Sequence, residues 1–260
     1  MKRQYFNEGW RFCPAEDDLT EWESVRLPHT VKELPFHYFS EKDYQMVALY
    51  EKTFVAKEAW KGKRVLLTFE GVAHKAKVYC NDQLVGQHAC GYTAFTVDLS
   101  GALLFGGENL LRVEVDSRES LNVPPFGYVV DYLTYGGIYR DVYLEVKEPV
   151  HITDVFVRTK KLDTEAKCAT LMVDVTISEA VAEDELLLEV MDEMKSIASE
   201  RIKVTKGQQF YQTVIVLNNI EAWDINHPKL YTLQGTLQGN GESKCMRFGI
   251  RNVAFQADGF

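Results

Sequence analysis

The chain has 260 residues, of which 46% are apolar and 26% charged, ordinary values for a globular protein with no disordered or fibrous bias. A formal net charge of -9 argues against a nucleic-acid partner, which would need clustered Lys and Arg, and against an anionic membrane surface. No run approaches the ~18 apolar residues of a membrane span, and the start MKRQYFNEGW has no apolar signal-peptide core. The location expected is therefore cytoplasmic, with periplasmic as the alternative if a signal peptide has been removed.

A short helical piece is expected around Lys57–Trp60. From residue 63 the chain reads as strands: KRVLLTF (63–69), AHKAKVYC (73–80), QLVGQH (83–88), YTAFTVD (92–98), NLLRVEV (109–115) and IYRDVYLEV (138–146). Ala76, Val78 and Cys80 alternate with polar neighbours at period two, as do Leu111, Val113 and Val115. Turn signals such as Asn81-Asp82 and Gly106-Gly107 punctuate them. Strands recurring every 8–12 residues predict a sandwich or jelly roll. Pro149 has no N–H for a ladder, so a boundary is expected there. A second series follows at 151–159, 169–177, 185–192, 199–205, 210–217, 230–237 and 245–250, which suits an immunoglobulin-like sandwich without a Cys–Trp–Cys signature.

Cys13, Cys80, Cys90, Cys168 and Cys245 are odd in number, and their spacing fits neither a disulfide framework nor a zinc site, so free thiols are expected. The acidic runs Glu16-Asp17-Asp18 and Glu183-Asp184-Glu185 read as solvated turns. Neither run makes a catalytic carboxyl dyad. The sequence also presents no Ser-His-Asp elbow, phosphate loop or metal cluster. Trp10, Trp22, Trp60 and Trp223 are scattered, and core or interface burial is their expected fate. Asp131 stands just before Gly136-Gly137, read here as a tight turn. Its carboxylate could cap that turn.

Five stretches in order carry a resemblance. They are FNEGWRF (6–12) with VRLPHT (25–30), the long line FEGVAHKAKVYCNDQLVGQHACGYTAFTVDLS (69–100), GENLLRVEVDSRES (107–120), DYLTYGGIYRDVYLEV (131–146), and AWDINHPKLYTL (222–233) with RFGIR (247–251). Together they resemble the front of the glycoside hydrolases of family 2, β-galactosidase-like. The departures are Asp82 where Asn-Gly is usual and Cys90 in place of the first glycine of Gly-Gly-Tyr, both at turn positions.

The resemblance implies an all-β chain: a jelly-roll, sugar-binding-like domain at 1–148, an immunoglobulin-like β-sandwich at 149–248, and at 249–260 a truncated lead-in to a (β/α)8 catalytic barrel that carries the two catalytic Glu. No residue of this chain is then catalytic, and the chain alone is expected to be inactive. By the same resemblance Asp131 reaches from the first domain to the substrate and, with the barrel present, to a sodium ion. Gln45 in KDYQMVALYEKTF (42–54) stands near a second substrate-approaching position. His29, His88 and Tyr92 are expected to pack or hydrogen-bond at strand ends, and Arg140 and Asp141 to form a structural ion pair or hydrogen bond.

The implied cofactor is sodium or magnesium in the full-length enzyme. The implied partners are a carbohydrate substrate, the chain's own barrel and further copies in a homo-oligomer, with no nucleic acid and no membrane. Terminal β-galactosides rank first as substrates, with β-glucuronides and β-mannosides as alternatives. Two other functions stay open: a free-standing carbohydrate-binding module, which an exposed aromatic platform would favour, and a purely structural two-domain protein.

Overall fold

A computed structural model describes residues 3–15, 21–124, 126, 134–178 and 182–253. The chain divides into two compact units, Met1–Lys147 and Glu148–Phe260.

The described residues of the first unit form ten strands: β1 (Gln4–Tyr5), β2 (Trp10–Pro14), β3 (Glu23–Val25), β4 (Val47–Val55), β5 (Arg64–Phe69), β6 (Lys75–Cys80), β7 (Gln83–Ala89), β8 (Phe95–Asp98), β9 (Glu108–Asp116) and β10 (Val142–Lys147). They build two antiparallel sheets, ordered β1-β10-β5-β8 and β3-β2-β4-β9-β6-β7. The period-two pattern is realised as burial. Ala76, Val78 and Cys80 of β6 and Leu111, Val113 and Val115 of β9 all face one core, with Trp10, Tyr50, Leu67 and Phe69. Each buried Val or Leu among them contributes about 1.5–3 kcal/mol by leaving water. The helical piece near Lys57 is a single 3-10 turn, Glu58–Trp60, whose Trp60 is buried.

Strand β4 is absent from the sequence reading, which took 42–54 as a loop. The alternation is broken by Glu51, a carboxylate only 5% exposed. Arg11 and Arg112 each donate to it at 2.8 Å, so the charge is paired where a hydrophobe would be expected. The Asn81-Asp82 hairpin keeps its tight turn without glycine. Both residues adopt left-handed φ (49° and 62°), as a two-residue primed turn requires. Asn81 Nδ2 donates to Ala102 O and Asn109 Oδ1, each at 2.8 Å, which holds the turn on the sheet.

The described residues of the second unit form seven strands: β11 (Ile152–Asp163), β12 (Cys168–Ile177), β13 (Asp184–Asp192), β14 (Lys195–Val204), β15 (Phe210–Asn218), β16 (Tyr231–Leu237) and β17 (Ser243–Phe248). They form a three-stranded sheet, β11-β12-β15, and a four-stranded sheet, β14-β13-β16-β17, around their own apolar core. Alternate residues of β12 (Ala169, Leu171, Val173, Val175 and Ile177) face that core. The acidic run at 183–185 is spent on structure. Glu183 and Glu185 pair with Lys203 and Arg201, and Asp184 Oδ1 accepts from Gly239 N at 2.8 Å.

None of the five cysteines forms a disulfide. Burial pushes the Cys80 thiol up to about 11, whereas hydrogen bonds from Thr93 and the Tyr92 backbone lower that of Cys90. Since the thiolate is the reactive form, Cys90 and the exposed Cys245 are expected to alkylate well before the buried Cys13 and Cys80 in the native chain. All five should titrate after denaturation. Peptide mapping after timed labelling tests the order, and early labelling of Cys80 would contradict it.

Candidate functional site

Asp131 lies outside the described residues, but the residues on either side of the 127–133 stretch are placed, and they gather the expected site segments at one edge of the first unit. Thr134, three residues after Asp131, is 3% exposed, and its Oγ1 donates to Glu119 Oε1 at 2.8 Å. The backbone N of Glu119 donates to Gln45 Oε1 at 3.4 Å. Two residues earlier, Ser117 Oγ accepts from Met46 N at 3.0 Å and lies 2.6 Å from Tyr44 O. The corner Ser117–Glu119 after β9 therefore ties the Gln45 segment to the chain that follows Asp131. The sequence reading passed over Ser117, Glu119 and Thr134. The only signal for the first two was the SRES run ending the third matching stretch.

Gly136 and Gly137 do not form the expected turn. They run between two other segments: Val31 N donates to Gly136 O (3.0 Å), His29 N to Ile138 O (2.8 Å), and Ala73 N to Gly137 O (2.9 Å). The glycines answer a close approach on both sides. A Cβ on Gly136 would lie 2.5 Å from Ser117 Cβ, and one on Gly137 2.7 Å from both His29 O and Tyr50 Oη. Gly137 also has φ 111°, where side chains are strained.

Three hollows open at this edge. A groove of about 1020 Å³ is lined by residues including Trp22, His29, Lys32, Glu33, Asp43 and Gln45. A second, of about 620 Å³, is lined by residues including Thr30, Leu34, Phe36, Phe39, Thr134 and Tyr135. A small cavity of about 140 Å³ is lined by Ala73, His74, Gly91, Tyr92, Thr134, Tyr135 and Tyr139. Mixed donors, acceptors and aromatic faces suit hydroxyl-bearing ligands.

His29 Nδ1 lies 2.9 Å from Tyr50 Oη, and burial lowers the His29 pKa and raises that of Tyr50. Both are thus neutral at pH 7. His88 pairs with Thr93 at 2.8 Å and stacks on Phe95, a packing role. Tyr92 lines the small cavity. Arg140 lies over the Tyr139 ring, while Asp141 Oδ1 accepts from Asn7 Nδ2 at 2.9 Å, so Asp141 takes a hydrogen bond. Of the four tryptophans, Trp10 and Trp60 are buried and Trp22 and Trp223 half-buried.

His74 is 3% exposed, and neither ring nitrogen has a hydrogen-bond partner. Gly91 leaves it room, since a Cβ there would sit 2.8 Å from Nδ1. Burial lowers the His74 pKa, only partly opposed by Glu119 and Asp116, with Lys75 lowering it further. The unfolded chain, with an ordinary histidine pKa near 6.5, therefore binds the proton first as pH falls. Stability of the first unit should be full above pH 6.5 and decline as pH drops through the lowered folded-state value, with His29 contributing in the same direction. Replacing the imidazole by an apolar ring, His74→Phe, should flatten that decline. Melting followed from pH 7.5 to 5 tests this, and an unchanged slope in the variant would refute the assignment to His74.

Comparison with known proteins places this geometry. The model of the glycosyl hydrolases family 2 sugar binding domain matches residues 25–149, and the model of glycosyl hydrolases family 2 matches residues 150–251. The chain belongs to glycosyl hydrolase family 2. It is 37% identical to a β-galactosidase of Thermoanaerobacter pseudethanolicus over 98% of its own length and 36% of that protein's. It is 33% identical to a β-galactosidase of Thermoanaerobacterium thermosulfurigenes over 98% and 36%, and 26% identical to a β-glucuronidase of Formosa agariphila over 97% and 30%. The crystal structure of a family 2 member from Bacteroides cellulosilyticus superposes with a TM-score of 0.84 at 26% identity, over 99% of this chain and 37% of that one. The chain thus spans about a third of the length of the curated relatives it matches. Its two β-units are the family's sugar-binding and immunoglobulin-like domains.

Proposed function

We propose that this chain is the non-catalytic front of a β-galactosidase that hydrolyses terminal β-galactosides with retention, and that its part is to present Asp131 and Gln45 to the sugar. The observation that supports this most directly is the link Gln45–Glu119–Thr134, which joins the two segments that resemble the family's substrate-approaching positions. Identity to β-galactosidases above that to β-glucuronidases favours the galactoside. A carboxylate at Asp131 and an amide at Gln45 would accept from and donate to sugar hydroxyls, orienting a ring whose bond is cleaved by groups in the longer protein. A sodium or magnesium ion held with Asp131, a cytoplasmic location and homo-oligomers belong to the same reading. Among the described residues no three His, Cys, Asp or Glu side chains converge as metal ligands, so the chain's own share of such a site rests on Asp131.

The test is turnover of chromogenic β-galactoside and β-glucuronide by the 260-residue chain and by the complete protein encoded with it. The chain alone should be inactive, and the complete protein should prefer the galactoside. Turnover by the chain that survives further purification, or preference for the glucuronide, would overturn the proposal.

A further inference from the structure

We propose that the loop Phe36-His37-Tyr38-Phe39, with the groove beside it, is a stacking platform for a neutral saccharide. The proposal deepens the carbohydrate reading above and rests on it.

Three aromatic side chains within four residues face solvent: Phe36 is 91% exposed, Tyr38 101% and Phe39 41%. Single exposed hydrophobes are ordinary, but a contiguous aromatic surface marks a contact site. The His37 ring bridges Phe36 and Tyr38, with centroids 4.7 and 6.2 Å away. Tyr38 is held at φ 63°, a left-handed conformation that a bulky side chain rarely adopts, and strain of this kind clusters at ligand contacts. The loop is anchored on its far side. Ser40 N donates to Asp43 Oδ2 at 2.8 Å in a capped 3-10 turn, Glu41–Asp43, and the next residue, Tyr44, is 4% exposed. The rings are therefore presented from a fixed base.

The groove of about 620 Å³ fits a small ligand, and its lining says which kind. Phe36, Phe39 and Tyr135 supply apolar faces. Thr30 and Thr134 supply hydroxyls, and Lys32 and Glu33 bring one charge of each sign. A balanced polar rim around aromatic faces suits a pyranose, whose C–H face packs on a ring while its hydroxyls meet donors and acceptors at the edge. Thr134, which lines the groove, is itself held by Glu119.

Saturation-transfer NMR on the 260-residue chain with lactose as probe tests this. Lactose should show transfer and a Kd of about 1–10 mM, as for a shallow site with few hydrogen bonds. Phe36→Ala and Tyr38→Ala should each weaken binding about five- to tenfold, on the order of one aromatic contact. Tyr38→Phe should bind like the native chain. Phe156→Ala, at an exposed ring of the second unit, should leave binding unchanged, and all variants should melt like the native chain. No transfer to lactose, equal binding by Tyr38→Ala, or loss in Tyr38→Phe as well would overturn the platform. So would a native dimer that Tyr38→Ala dissociates while lactose is ignored, since the loop would then be a contact between copies. Failure with lactose leaves the turnover test of the complete protein standing, and failure of turnover leaves the lactose result standing, so the two readings are separable.

Discussion

Gly137→Ala is expected to lower the melting temperature of the first unit by about 10 °C. The new Cβ would lie 2.7 Å from His29 O and 2.7 Å from Tyr50 Oη. Neither can yield cheaply. His29 belongs to a backbone that donates to Ile138 O, and the Tyr50 hydroxyl is held by His29 Nδ1 at 2.9 Å. Overpacking of this kind costs about 1–3 kcal/mol, and a left-handed φ at a residue with a side chain adds about 1–2 kcal/mol. A total of about 3–4 kcal/mol, at roughly 2–4 °C per kcal/mol for a unit of this size, gives the expected shift. Gly62→Ala is the control. Gly62 also has a left-handed φ (79°), but a Cβ there meets nothing within 4 Å, so only the backbone cost of about 1–2 kcal/mol remains. Calorimetry on both variants decides the matter. Equal shifts would mean that the close approach at Gly137 carries no energy.

Asp131→Ala in the complete enzyme is expected to reduce kcat/KM about ten- to two-hundredfold with little change in melting temperature. A charged hydrogen bond to substrate is worth on the order of 1.5–3 kcal/mol, and that is the transition-state stabilisation removed. Asp131 itself lies outside the described residues. The expectation stands on its place in DYLTYGGIYRDV and on the anchoring of the same run by Thr134 to Glu119 and by Gly136–Ile138 to residues 29–31. Kinetics and melting on this one variant separate the two readings of the carboxylate. Unchanged kinetics, or an activity loss matched by a loss of melting temperature, would show that Asp131 does not hold the substrate. Disruption of the anchor by Thr134→Val should cost less, because the glycine crossing remains to hold the run.

Much of the architecture was legible in the residues. The period-two runs at 73–80, 109–115 and 169–177 are strands whose apolar sides are buried, because a pleated chain sends alternate side chains to opposite faces whatever its partners. Asn81-Asp82 was legible as a turn for an equally local reason, since both residues tolerate a left-handed backbone. Strand β4 was hidden because Glu51 is buried by two arginines from other strands, a pairing that no window of neighbouring residues contains. Gly136-Gly137 was misread for the same reason. Two glycines look locally like a turn, and only the packing of Ser117, Val31, His29 and Tyr50 around them shows that they make room for other chain segments.

The sequence by itself determined the all-β class, the lack of a disulfide framework and the family, because these follow from local periodicity, composition and the order of short motifs. The tertiary structure alone decided which distant residues meet. Ser117–Glu119 meets Gln45 and Thr134 from 15 to 74 positions away, His74 is buried without a partner, and the rings of residues 36–39 stand in solvent beside a groove. Those facts depend on which strands become neighbours and on what is left uncovered when two sheets close on one core. Such long-range pairings are set by the burial energy of the whole fold rather than by the preference of any segment.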